Sequence, residues 1–132
     1  MEITEVLIDA CVFIEHFRSK HKEGTLFTKL NQQSQKLYVS AVAKYEVLAG
    51  AHERDMSKWH QLFDNVTVLA FDDVTIDFAR MIYRQLKQEN KLIDTVDIFI
   101  AATAMVNDLP LATLNRNHFE RIHGLRTVND RH

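Results

Sequence analysis

The sequence predicts an α/β fold in which a mainly parallel sheet of about five strands is covered by helices on both faces, and three observations carry this. Short aliphatic or β-branched runs recur along the chain, at Val6-Leu7-Ile8, Leu37-Tyr38-Val39, Val66 to Ala70, Leu111 to Leu114 and Leu125 to Val128. Between them lie longer segments whose apolar residues return at helical spacing, the alternation that makes βαβ units and hence parallel pairing. Acidic or polar residues follow several of the runs directly, at the sheet edge where ligands bind in open α/β folds.

Taken in order, Val6-Leu7-Ile8 ends at Asp9, and Cys11 to Phe17 then has helical periodicity. A charged stretch, Arg18 to Glu23, leads through Gly24 to a second helical segment, Thr25 to Gln33. After Leu37-Tyr38-Val39, Ser40 is placed to cap a helix running from Ala41 to about His52, and Ser57 to Phe63 suggests a short one. Val66 to Ala70 is the clearest strand by composition. From Val74 to Gln88, Ile76, Ala79, Met81, Ile82 and Leu86 alternate with Arg80, Arg84 and Lys87 as in an amphipathic helix, and Asp94 to Val106 is a shorter, more apolar one. Pro110, the only proline, opens the fourth strand, and Leu125 to Val128 closes the chain as an edge strand.

With 132 residues, 46% hydrophobic and 26% charged, the chain fits one domain spanning residues 1–132 with a real core, and neither a disordered tail nor a collagen-like repeat is expected. One cysteine, Cys11, and a start that lacks a basic then apolar leader point to a cytoplasmic protein. The longest apolar stretch, Ile98 to Val106, is broken by Thr103 and is too short for a bilayer, so no membrane segment is expected. The formal charge of −2 shows no global basicity, although setting Asp9, Glu46, Asp94 and Asp97 aside leaves a mildly basic body at +2.

Those four acids are the residues most able to carry chemistry. Asp9 follows the first strand, where capping the next helix is the simpler explanation. Glu46 shares a helix face with Val42, Tyr45 and Ala49, where a buried carboxylate needs something to compensate it; equally, it reaches solvent at the helix edge or pairs with Lys44 or Arg54. Asp94 and Asp97, three apart, suit an acidic capping box at a helix start. A helix terminus does not explain why Asp9, Glu46 and Asp97 all fall at one sheet edge. Carboxylates converging there repel by about 3 kcal/mol per pair at ~5 Å and an effective dielectric of ~20. They must share protons or bind a cation, and oxygen-only donors favour Mg²⁺ or Mn²⁺, which suggests metal-assisted phosphoryl transfer. Near the C-terminus Thr113 and Asn115 could orient a water or a carboxylate, and Arg116, His118 and Arg121 could meet phosphate; taken singly, each is better explained as an ordinary solvated loop residue.

Taken together, Leu7-Ile8-Asp9, Ser40 through Glu46 with Val47-Leu48-Ala49-Gly50, Asp97 to Ala102, Thr113-Leu114-Asn115, His118-Phe119 and Gly124-Leu125 resemble the PIN domain, most closely the VapC-type toxins of bacterial toxin–antitoxin pairs. The resemblance covers nearly the whole chain. It implies a three-layer α/β/α sandwich, metal ligation by Asp9, Glu46 and Asp97, and catalysis by these three with Asn115, which stands where many members carry a fourth acid. It further implies Mg²⁺- or Mn²⁺-dependent ribonuclease activity, often on tRNA, a homodimer, and a cognate antitoxin whose C-terminal segment blocks the site. Asp94 and Thr113 are expected behind the ligands, and Arg116 and His118 toward RNA. One departure stands out. Where the family usually has Asp-Thr followed by Asn or Ser, this chain has Asp9-Ala10-Cys11, so a supporting hydroxyl is missing and metal binding is expected to weaken.

Two functions from different classes follow: an endoribonuclease, or a PIN-like module that grips RNA or an antitoxin without efficient cleavage. A phosphoacceptor receiver domain needs paired acids after its first strand, and an Asp-x-Asp phosphohydrolase needs an acid at position 11, where cysteine stands. The seven histidines (16, 21, 52, 60, 118, 123 and 132) are scattered without zinc-site spacing and are expected to face solvent or phosphate. The Arg18 to Lys22 stretch could border an RNA groove or be a solvated helix end.

Overall fold

A computed structural model describes residues 5–34 and 36–128. The first four residues and His132, on which the leader and one histidine reading fell, lie outside the described residues. β1 (Glu5–Ile8), β2 (Lys36–Ser40), β3 (Thr67–Leu69), β4 (Leu111–Ala112) and β5 (Thr127–Val128) form one sheet in the order β3-β2-β1-β4-β5. Every neighbouring pair is parallel, with Val6 beside Leu37, Leu7 beside Leu111 and Ala112 beside Val128. Among the described residues the sheet is therefore wholly parallel, as the alternation of runs predicts.

The crossovers are helical: α1 (Ala10–Arg18) and α2 (Leu26–Gln33) lie between β1 and β2, and α3 (Ala41–Ala49) and α4 (Met56–Phe63) between β2 and β3. α5 (Asp73–Gln88) and α6 (Thr95–Val106) lead to β4, and the single turn α7 (Arg116–Phe119) leads to β5. Right-handed connections that step first toward β3 and then back past β1 place the two helix groups on opposite faces. The first group is tied together by aromatics: Phe17 stacks on Trp59 at 4.3 Å, and Phe13 meets Phe63 at 5.0 Å and Phe27 at 5.6 Å. On the other side α5 packs along α6, whose residues Ile98 and Ile100 to Ala104 are all buried. No helix among the described residues is long and apolar enough to cross a membrane.

Local chemistry sets the element ends. Ser40 closes β2 and caps α3, its hydroxyl accepting the Ala43 N–H at 2.9 Å. Thr25 caps α2 rather than joining it, accepting the Thr28 N–H at 3.3 Å. α5 and α6 end one residue before a turn with positive φ, at Asn90 (56°) and Asp108 (53°). There the Lys91 and Leu109 N–H groups reach back to the carbonyls of Leu86 (2.8 Å) and Ala104 (2.9 Å). The strands at the C-terminal side are shorter than the sequence suggests: β4 stops at Ala112 because Thr113 and Leu114 turn away to the site, and β5 is only two residues long.

The order of strands matters for function. From β1 the chain steps outward to β2 and β3, then returns to the other side of β1 for β4. The crevice at the carboxyl ends of β1 and β4 is thus the point where the winding reverses, the place where open α/β sheets bind ligands.

Candidate active site

Asp9 emerges from β1 into this crevice, 5% exposed. Its backbone N–H donates to Ala112 O at 2.9 Å, which locks the residue to β4. Its carboxylate is held on both oxygens: Oδ1 accepts the Ala10 N–H at 2.8 Å, and Oδ2 accepts the Thr113 hydroxyl at 2.8 Å and the Cys11 thiol at 3.2 Å. The capping bond expected at this junction is present, and the same side chain is buried in the crevice. Burial pushes the Asp9 carboxyl above its usual range; the bonds from Thr113 and Cys11 pull it back in part, and repulsion from Asp97 adds to the rise.

Cys11 is a residue whose role the sequence did not show. Its Sγ donates to Asp9, accepts the Leu114 N–H at 3.4 Å and lies 3.7 Å from Thr113 Oγ1. Burial, and then the Asp9 charge, push the thiol up to about 12, so it stays protonated and can donate. Thiol and Thr113 hydroxyl together hold the same Asp9 oxygen, Oδ2. The only available signal was a small polarisable side chain two positions after the acid.

Glu46 lies on the exposed side of α3. The residue as a whole is exposed, while its carboxyl end is partly shielded; that shielding first, then the charges of Asp9 and Asp97, raise it above the ordinary value. The expected ion pair with Lys44 or Arg54 does not form: Lys44 Nζ lies over the Phe63 ring at 5.4 Å, and no ion pair of Glu46 occurs among the described residues. Glu46 is not buried among its apolar neighbours: it reaches solvent at the helix edge beside Tyr45, which is 71% exposed, while Val47 on its other flank is buried.

Asp97, in the first turn of α6, points at His118 of α7, with Oδ2 3.1 Å from Nδ1. The same Nδ1 is 2.9 Å from Asn115 Nδ2. A ring nitrogen carries either a proton or a lone pair, so it serves the carboxylate or the amide, one at a time. Asn115 is fixed from behind, its N–H donating to Thr113 Oγ1 at 2.9 Å. His118, expected toward RNA, thus faces a carboxylate of the site itself. Nothing in the 21-residue separation marked this pairing.

The remaining expectations divide. Asp94 holds the N-cap position of α6 but makes no side-chain capping bond, and its exposed carboxylate has no partner among the described residues. The acidic capping box is therefore not formed, because Asp97 turns to His118 instead. Arg116 pairs with Glu120 at 3.3 Å on the surface of α7. Lys22 caps α1, its ammonium donating to the carbonyls of His16, Phe17 and Ser19, so this part of the charged stretch is a helix end. His16 departs from the expected solvent exposure: it is half-buried, 2.8 Å from Thr25 Oγ1 and against the Phe27 ring at 4.8 Å.

A model that matches residues 6–125 is that of the PIN domain. The chain belongs to the PIN domain family. It is 30% identical over 92% of its length to Ribonuclease VapC1 of Methanocaldococcus jannaschii, covering 83% of that protein. With Ribonuclease VapC19 of Mycobacterium tuberculosis it shares 32% identity over 86% of this chain and 90% of the relative. Among solved structures, VapBC-1 from nontypeable Haemophilus influenzae superposes with a TM-score of 0.82 at 20% identity, covering 96% of this chain and 98% of that one. This last likeness establishes the PIN fold, a five-stranded parallel sheet flanked by helices.

The fold family implies a divalent cation, and the residues present suit one by donor chemistry. Asp9, Glu46 and Asp97 supply oxygens only, and Asp9 and Glu46 are both raised, by burial first and then by neighbouring negative charge that a cation would neutralise. Among the described residues no three His, Cys, Asp or Glu side chains stand close enough to enclose an ion by themselves. A hexacoordinate ion that keeps several waters needs only one or two direct carboxylates, so an open arrangement of this kind fits Mg²⁺ or Mn²⁺ better than a dehydrated ion.

Proposed function

We propose that this protein is an endoribonuclease of the VapC type that hydrolyses RNA phosphodiester bonds with Mg²⁺ or Mn²⁺. What supports the reading is that Asp9 at the exit of β1, Glu46 on α3 and Asp97 in the first turn of α6 lie near enough for Asp97 to act on Asp9, and for both to act on Glu46, through their charges, while Asp9 and Asp97 are each held by a polar partner, Thr113 and His118. These three would hold the ion, with Thr113 and Cys11 fixing the Asp9 carboxylate and His118 fixing that of Asp97. When bound, the cation supplies positive charge at the scissile phosphate and acidifies water. Asn115, held by its backbone N–H on Thr113 Oγ1 and with its side-chain amide 2.9 Å from His118 Nδ1, would orient polar groups at the mouth of the crevice. Family resemblance supports tRNA as the first substrate to test, a homodimer as the working form, and the cytoplasm as the compartment. The solved likeness is a VapBC complex, which supports a cognate antitoxin as partner.

The experiment is cleavage of a mixed tRNA pool by the antitoxin-free protein with Mg²⁺, with Mn²⁺ and with chelator, beside Asp97→Asn. Metal-dependent cutting that vanishes in the variant supports the reading; a variant that retains activity overturns the assignment of Asp97. A second reading, a PIN domain that binds RNA or antitoxin without efficient cleavage, is favoured by the loose spacing of the acids. It gains if a folded protein binds RNA without metal and shows no metal-stimulated turnover.

A further inference from the structure

Without a bound cation the acids repel the polyanion they are proposed to cut, and most affinity for RNA comes from Lys and Arg that neutralise phosphates elsewhere on the surface. Several of the candidates are committed to the fold. Besides Lys22 and Arg116, Arg121 Nη1 donates to the Leu92 carbonyl at 3.2 Å and Arg126 pairs with Asp108 at 3.2 Å. The outer side of α5 differs.

Arg80, Arg84 and Lys87 are spaced four and three residues apart, which puts them on one side of the helix, and all are exposed. With Tyr83 and Gln88 they line an open concavity of about 420 Å³. Among the described residues neither arginine takes part in an ion pair, even though Asp77 precedes Arg80 by three positions. Tyr83 is 42% exposed, and Lys87 Nζ sits 5.7 Å from its ring centroid. At ~1.5 Å of rise per residue the three cations span about 10 Å along the helix, a row rather than a single point charge. Unpaired guanidinium groups beside an accessible aromatic face are what single-stranded nucleic acid uses: cations follow the backbone and the ring stacks an unpaired base.

We propose that the Arg80, Tyr83, Arg84 and Lys87 face of α5 is a second RNA-binding surface, separate from the acid site, that holds single-stranded RNA by its phosphates and one base. The choice of RNA as the polyanion rests on the ribonuclease reading. Charge complementarity favours a polyanion over a protein here, because three cations and one tyrosine make up most of the concavity.

The test measures binding of a short labelled single-stranded RNA by fluorescence anisotropy across a salt series, in an Asp97→Asn background with chelator so that nothing is cut. Replacing Arg80 and Arg84 together by Gln is expected to lower the slope of log affinity against log salt by about 1.4, at ~0.7 for each single-strand phosphate that is no longer neutralised. Tyr83→Ser is expected to weaken single-strand binding about tenfold, with the slope and duplex binding unchanged. An unchanged slope in the double variant overturns the proposal, as does a parent protein that binds no RNA. So does an unchanged slope with a fall from dimer to monomer in light scattering, which would make this face an interface between copies. Failure of the ribonuclease reading is seen separately: no cleavage by the unmutated protein, with the arginine-dependent slope intact, sinks the nuclease and leaves this surface standing.

Discussion

Thr113 Oγ1 donates to Asp9 Oδ2 at 2.8 Å, a buried bond between residues 104 positions apart. It exists because β4 pairs beside β1 with Ala112 opposite Ile8, which brings the two strand exits level. One hydroxyl thereby joins the two strands that flank the crevice.

Removing it should loosen the acid. Thr113→Val keeps the shape and removes the donor, and groups in this position commonly change metal affinity by ~10- to 100-fold. The expected outcome is a rise of at least about tenfold in the Mn²⁺ concentration that half-activates cleavage, with Thr113→Ser near the parent. A Thr113→Val protein with unchanged metal dependence would show that the Cys11 and Ala10 bonds suffice.

His118 Nδ1 lies 3.1 Å from Asp97, so on the proposed reading its loss should resemble a damaged carboxylate rather than a damaged RNA-binding group. His118→Ala is expected to cut turnover by about 10- to 100-fold and raise the metal requirement, while RNA affinity in chelator stays within about twofold. His118→Asn, whose amide can reach the place of Nδ1, should recover part of the loss. If affinity falls and the metal requirement does not move, His118 touches RNA instead.

Glu46 is raised by shielding and by its acidic neighbours. A group whose carboxyl is raised in the folded state stabilises the fold fully below its unfolded value, near ~4.3, and that contribution is lost as pH climbs through the folded value. At neutral pH without metal the charged Glu46 therefore opposes folding. Glu46→Gln should melt about 1–3 °C higher than the parent at pH 7.5 in chelator, the gap closing toward pH 4. Thermal scans at the two pH values decide it; a lower melting point at pH 7.5 would mean that the carboxylates do not repel across the crevice.

His16 gives the opposite dependence. Burial first, then Lys22, hold the imidazole below its ordinary value, with Glu15 opposing. The folded form resists protonation, so stability is full above ~6.5 and is lost as pH falls through the folded value. Melting points measured between pH 7.5 and 5.5 should decline for the parent and decline less for His16→Gln. Equal slopes in the two proteins would assign the decline to other groups.

Sequence alone determined whatever depends on near neighbours in the chain. β-branched runs and helical spacing located the five strands and the helices α1 to α6, though not the single turn α7, Ser40 announced its cap, and Asp9 was placed at a strand exit by the residue that precedes it. It also placed Glu46 and Asp97 on the elements that carry them, because parallel strands joined by helices bring successive exits to one edge. Tertiary structure decided the partners. Whether Asp97 caps its helix or faces His118, whether Glu46 pairs with Arg54 or stands unpaired within reach of the charges of Asp9 and Asp97, and that Cys11 and Thr113 both support Asp9, depend on strand register and helix docking. Those are settled by burying one continuous core, Leu7 against Leu111 on one side and Val6 beside Leu37 on the other, and no local spacing encodes them.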